Sequence, residues 1–282
     1  MISARIVRAR EAPAATQKWA PCRDASVVFA AFLLTISAAS PACAEDPRIA
    51  KNRASERKIF TDTEITDGFF KVAFGAEYSV AGRTDRIRKY DGPVRIYVDS
   101  RAKPDRRMQV AAIVADIRAR VDHLDIAVTD SREGANVIVT LVRDRDLLPT
   151  IRKFFGRAKA RRIQHSLGPQ CLSGFSKDED FRITHSEVIV VADAGDFIFY
   201  DCVYEEILQA LGPINDTTAI PWTMFNDDVQ KGFFDRYDQY LLNILYDPRI
   251  RPGMTRAQVR ALLPQVLPTV RNWVSRVNNL KP

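Results

Sequence analysis

Sixteen residues, Asp201 to Asp216, constrain this chain more than any other stretch. They read Asp-Cys-Val-Tyr-Glu-Glu-Ile-Leu-Gln-Ala-Leu-Gly-Pro-Ile-Asn-Asp. Asp201 is suited to cap a helix, because its carboxylate can accept from the unpaired N–H groups of a first turn. Glu205 and Gln209 then fall one turn apart on a shared face, with Glu206 beside them. Gly212-Pro213 stops the helix, and the glycine lets the chain turn sharply. Asn215 and Asp216 come back after that turn. The plain reading of the two glutamates is a helix N-terminus whose macrodipole favours negative charge.

The start of the chain sets its compartment. Arg5, Arg8, Arg10, Lys18 and Arg23 precede an apolar run, Val27 to Ile36. Small residues follow, ending in Ala42-Cys43-Ala44 ahead of Glu45-Asp46-Pro47. A charged start, a short apolar core and an A-x-A exit predict a secretory signal peptide over residues 1–44, cleaved near Ala44. The alternative is an uncleaved anchor helix, for which the core is short. A lipoprotein reading through Cys43 is weaker, since Ser40-Pro41-Ala42 lacks an aliphatic residue three positions before the cysteine. The mature chain is then periplasmic or secreted. Cys22 and Cys43 leave with the leader. Cys171 and Cys202 remain, and an even pair in an exported chain predicts a disulfide. Closing that loop contributes about 3 kcal/mol by chain entropy.

Composition narrows the partners. With 46% hydrophobic and 27% charged residues in 282, the chain is globular rather than disordered or collagen-like. Past the first fifty positions there is no apolar run of roughly 20 residues, which argues against a polytopic membrane protein. The net charge of +7 falls to +4 without the leader, so no nucleic-acid partner is expected. One run is strongly basic: Arg152, Lys153, Arg157, Lys159, Arg161 and Arg162 make six cations in eleven residues. In an exported protein it could meet anionic lipid or envelope polymer; its plain reading is a solvated face.

Periodicity predicts an α+β chain with a mixed sheet. Residues 45–93 form a lead-in, loose over 45–58, with a helix over Thr63–Phe74. The main domain covers 94–282. Strands are predicted over Val94–Val98, Ile126–Thr129, Ala135–Val142 and Glu187–Ala192. A long packing helix runs over Asp105–Leu124, with Val110, Val114, Ile117 and Val121 on one face. A further helix covers Asp144–Phe155, interrupted at Pro149. Residues 156–180, which hold Cys171, read as a loop. After the motif helix, Asp201–Leu211, and an irregular stretch 213–233 come helices over Asp235–Tyr246, Thr255–Leu263 and Pro264–Val277. From about residue 235 these form a C-terminal helical subdomain.

The motif resembles the zinc-protease pattern H-E-x-x-H-x-x-G-x-x-H, in which three imidazoles clamp zinc and the glutamate is general base. Here the spacing is E-E-x-x-Q-x-x-G-x-x-N. Glu206 falls on the general-base position and Gly212 on the turn. Glu205, Gln209 and Asn215 fall on the three ligand positions, with Asp216 next to the third. Trp222-Thr223-Met224-Phe225 is similar to the methionine turn of metzincins, and Val94–Val98 with the long helix and Ala135–Val142 is similar to their strand-helix-strand start. More closely, Cys202-Val203-Tyr204-Glu205-Glu206, Gln209, Leu211-Gly212, Asn215-Asp216, Phe225-Asn226-Asp227, Leu245-Tyr246-Asp247-Pro248-Arg249 and Pro252-Gly253-Met254 resemble the motifs of a proteobacterial domain-of-unknown-function family, number 2927. The resemblance implies a zincin-like fold with a degenerate site. No zinc is expected, since glutamine and asparagine amides are poor zinc ligands and His123, His165 and His185 all lie outside the motif. Glu205, Glu206 and Asp216 could offer oxygens to a harder ion such as calcium. The implied function is a non-catalytic binding or structural module of the cell envelope. The alternative is a hydrolase using Glu206 with a non-standard metal or a second carboxylate.

Overall fold

The computed structural model describes residues 2–5, 45–75, 85–157, 160–161 and 170–280. Most of the expected leader therefore lies outside the described residues, as do His165, Lys159 and Arg162. The strands are β1 (Ile2–Arg5), β2 (Val94–Ser100), β3 (Ile126–Val128), β4 (Val137–Val142), β5 (Cys171–Lys177) and β6 (Ile183–Val191). The helices are α1 (Pro47–Ala54), α2 (Asp62–Ala73), α3 (Arg107–Arg120), α4 (Leu147–Phe155), α5 (Asp196–Ala210), α6 (Arg236–Tyr246) and α7 (Arg256–Val277).

The sheet order is β1-β5-β6-β4-β2-β3. The four strands β3, β2, β4 and β6 are parallel, while β5 is antiparallel to β6 and β1 antiparallel to β5. The run Val-Ile-Val-Thr-Leu-Val of β4 is buried throughout, as a parallel strand covered on both faces should be. On one face Val139, Leu141, Val188 and Val190 join a core that also holds residues of α2, α3, α5, α6 and α7. On the other, Val142, Leu172, Ile189 and Val191 pack against Leu147 and Ile151 of α4. The chain is thus α+β, and α6 and α7 share one core with the sheet and α5.

Four segments differ from the sequence reading. Residues 47–54 are helical rather than loose, because Asp46 caps Arg48 N at 2.8 Å and Pro47 starts the first turn. Cys171–Lys177 is a strand, not a loop. Its sequence Cys-Leu-Ser-Gly-Phe-Ser-Lys has no β-branched residue, so propensity gives no signal; pairing with β6 decides its conformation. The motif helix opens at Asp196, five residues before Asp201, through the aromatic run Phe197-Ile198-Phe199-Tyr200. Finally α7 is one helix through Pro264 and Pro268, not two. Both prolines lie on its exposed side, where the carbonyls they leave unpaired can meet water.

Cys171 and Cys202 form a disulfide with Cα atoms 5.8 Å apart, which ties β5 to α5. We predict that Cys171→Ser with Cys202→Ser lowers Tm by roughly 6–12 °C, from about 3 kcal/mol of lost loop constraint. Thermal melts of the oxidised wild type and the double variant measure this, and an unchanged Tm would refute the constraint.

Candidate functional site

Helix α5 is buried on every side from Asp201 to Ala210. Burying a polar side chain costs free energy unless it is hydrogen-bonded, so each polar residue on this helix needs partners from elsewhere in the chain. Asp201 is no N-cap; it stands mid-helix, and its Oδ1 accepts from the backbone N–H groups of Lys231 at 2.7 Å and Gly232 at 2.9 Å. Tyr204 donates from its hydroxyl to Asp116 Oδ2 on α3 at 3.1 Å. Burial, then the negative charge of Asp116, pushes the Tyr204 hydroxyl well above its usual range.

Gln209 is the hub of the polar face. Its Nε2 donates to Asp216 Oδ1 at 2.6 Å and to Glu205 Oε1 at 3.5 Å, and its Oε1 accepts from Ser173 Oγ on β5 at 3.2 Å. Carboxylate oxygens of Glu205, Asp216 and Asp227 all lie within 4.8 Å of one another. The structure therefore brings together Glu205, Gln209 and Asp216, and adds Asp227. Glu206 is equally buried but is not one of these three carboxylates. Asn215 turns away: its Nδ2 donates to Lys71 O at the end of α2, at 2.8 Å. Sequence reasoning placed Asp227 in a motif without giving it a role, because the irregular stretch that returns it to α5 has no periodicity to read.

Gly212 has φ +139°, and a Cβ there would stand 2.3 Å from Arg88 O. The glycine is needed for the turn and for close approach to the segment before β2. Arg88 donates to Ala73 O and Gly75 O, both at 2.8 Å, and so closes the C-terminus of α2. Burial lowers its pKa to about 10. Lys89 donates to Leu245 O at 2.9 Å, and burial lowers its pKa to about 8. Tyr246 donates to Leu211 O at 2.9 Å, at the C-terminus of α5.

Met224 is fully buried. Asp238 of α6 fixes its turn, accepting from Thr223 Oγ1 at 2.5 Å and Met224 N at 2.8 Å. Burial, and then the neighbouring Asp235, pushes the Asp238 carboxyl well above its usual range. Lys231 is ion-paired with Asp235. Burial disfavours the Lys231 charge, but the carboxylates of Asp235 and Asp238 outweigh this and hold its pKa above the ordinary value. The lysine–aspartate group was not foreseen, although Asp235 follows an irregular stretch where an N-cap belongs.

The other expected residues lie apart. His185 Nε2 meets Glu187 Oε1 at 2.9 Å, and His123 Nε2 lies 3.3 Å from Asp122 Oδ2. Arg152 and Lys153 end α4 and, with Arg157 and Arg161, line an open groove of about 720 Å³. A cavity of about 520 Å³ is lined by Arg106, Gln109, Asp196, Tyr200 and Tyr204 among others, and by neither Glu205 nor Gln209. The donors around Gln209 are carboxylate and amide oxygens, with neither imidazole nor thiolate among the groups that meet it.

Residues 62–265 match the family model described as a protein of unknown function, DUF2927. No curated protein and no solved structure matches the chain.

Gln209→Glu is predicted to destabilise the fold by roughly 2–4 kcal/mol at pH 7, because it sets a third carboxylate against Glu205 and Asp216. Denaturant titrations of the variant and the wild type at pH 7 test it. Asp247 carries a pH signature. Burial raises its carboxyl, but the hydrogen bonds and charge of Arg249 outweigh this, leaving it below the usual range. Arg249 Nε and Nη2 reach it at 2.7 and 2.6 Å. A depressed carboxylate contributes stability above its unfolded pKa, near 3.9, which is lost as pH falls through the folded value. Asp247→Asn should cost about 1.5–3 kcal/mol at pH 7. The difference from wild type should begin to narrow below about pH 4 and close as pH falls through the lowered folded value.

Proposed function

We propose that this chain, which belongs to the DUF2927 family, is an exported, non-catalytic binding module of the cell envelope on a zincin-like scaffold. The leader-like start, with its apolar core and Ala42-Cys43-Ala44 exit, supports export. The order β2–α3–β3–β4 and a motif helix directly after β6 support the scaffold. So do the glycine turn at Gly212 and the buried Met224 beyond it.

One observation carries the non-catalytic reading. Of the groups that stand at two of the ligand positions, Gln209 donates to the other, Glu205, and also to Asp216. Side chains spent on one another in this way act as structure. A catalytic base needs an acid or a metal to work on, and imidazole is missing from the motif.

A second reading rests on the three carboxylates of Glu205, Asp216 and Asp227. They form an oxygen donor set that a hard cation could use, with Glu206 one residue away as base. The test separates the two. Protein purified from exported material is assayed for bound metal by mass spectrometry and for peptide and glycan hydrolysis, alongside Glu206→Gln. Sub-stoichiometric metal and no Glu206-dependent turnover are expected. Stoichiometric metal, or turnover lost in the variant, overturns the non-catalytic reading.

A further inference from the structure

A β-sheet has two edges, and each presents a row of unpaired N–H and C=O groups to any extended chain. At one end of this sheet lies β3, which has only three residues. Short edge strands are a common protection. At the other end, inside β1, lies β5. From Cys171 to Ser176 it has no proline and no charge, and its only register irregularity falls at Ser176/Lys177. The disulfide to α5 holds it in place. By itself β5 would be a rigid, unprotected edge.

In the whole chain that edge is occupied. Ile2–Arg5 pairs with it antiparallel, in the register Ile2 with Gly174, Ser3 with Ser173, Ala4 with Leu172 and Arg5 with Cys171. These four residues belong to the segment that leader cleavage would remove. No other described strand lies beyond β5, so processing would leave the edge open.

We propose that the outer edge of β5 is a peptide-binding edge. Its ligand is an extended, proline-free peptide segment that adds antiparallel to Cys171–Gly174 through main-chain hydrogen bonds. In the unprocessed chain Ile2–Arg5 fills this place and blocks it. The register sets Ser3 of the plug opposite Ser173, whose hydroxyl reaches Gln209. The peptide edge therefore adjoins the polar face of α5. The inference rests on the reading of the chain as an exported binding module, since export is what vacates the edge.

The test uses the full chain with its leader retained. Hydrogen exchange of the Cys171 and Ser173 amides, which point away from β6, is compared between wild type and Ser3→Pro/Ala4→Pro, which removes the plug's backbone donor opposite Ser173. The variant should exchange about tenfold faster or more in that segment alone, with an unchanged near-ultraviolet spectrum. A synthetic peptide of residues 1–8 should restore protection in a saturable way. The same peptide with proline at its third and fourth positions should not. Equal exchange in variant and wild type overturns the proposal. So does failure of the peptide to protect, or protection that appears only through concentration-dependent dimers of the variant, which would make a second copy the occupant. None of these readouts depends on metal or turnover, so this inference and the non-catalytic reading can fail separately.

Discussion

The interior of α5 is the constraint on which the rest depends. A helix apolar on all sides would need only shape around it. This one carries Asp201, Glu205, Glu206 and Gln209 into the core with no exposed surface. An unpaired buried carboxylate or amide costs several kcal/mol, comparable to the whole margin of a domain. The chain therefore has to deliver partners to defined points. Ser173 arrives from β5, Asp216 from beyond the glycine turn, and the N–H groups of Lys231 and Gly232 from the end of the irregular stretch. Residues 213–233 have no regular structure, yet their course is fixed by these bonds. Asn226 adds a local one, donating to Ile220 O at 2.8 Å.

The same demand explains sequence signatures that lie far from the helix. Tyr246 closes the C-terminus of α5, and Lys89 closes that of α6. Arg88 does the same for α2, while its own carbonyl excludes any side chain at position 212. Last-turn carbonyls have no intrahelical partner, so each buried helix end needs a donor from outside. Leu245-Tyr246-Asp247-Pro248-Arg249 thus has an architectural role. Tyr246 locks two helices together, and Asp247 holds Arg249 against the backbone of α7 at Gln265 O, 2.8 Å away.

How much of this the sequence displays depends on the range of the interaction. Periodicity and caps are local, and α2, α3, β2, β4 and α6 are legible from them to within a few residues. The helix read from Thr63 begins at Asp62 in the structure, behind a capping box of Thr61 and Glu64. β5 has no local signal, because its strand conformation comes from a partner and a disulfide. Asp227 is likewise set by a turn without pattern. Pro264 and Pro268 mislead because a proline's cost in a helix depends on which side the freed carbonyl faces, and that is a tertiary fact. The spacing E-E-x-x-Q-x-x-G-x-x-N, with Asp216 next to its last position, names both Asn215 and Asp216; the fold bonds Asp216 to Gln209 and turns Asn215 to Lys71 O. A one-residue difference after a glycine with φ +139° is beyond what spacing resolves.

The chemistry of the hub then follows from counting donors. An amide has two N–H groups and one carbonyl. Gln209 spends both hydrogens on carboxylates, Asp216 and Glu205, and its oxygen on the Ser173 hydroxyl. An imidazole at this point could offer two donors only by becoming a cation, and as a neutral ring it could bridge one carboxylate. A neutral amide joins two acids and a hydroxyl without adding charge to a dry interior. Glu205, Gln209 and Asp216 are therefore a self-consistent hydrogen-bonded set. Such a set also has no donor left on Gln209 for a bound molecule. The binding edge proposed above lies at the border of this core, on β5, which meets the hub through Ser173 and pairs with β1 at one end of the six-stranded sheet.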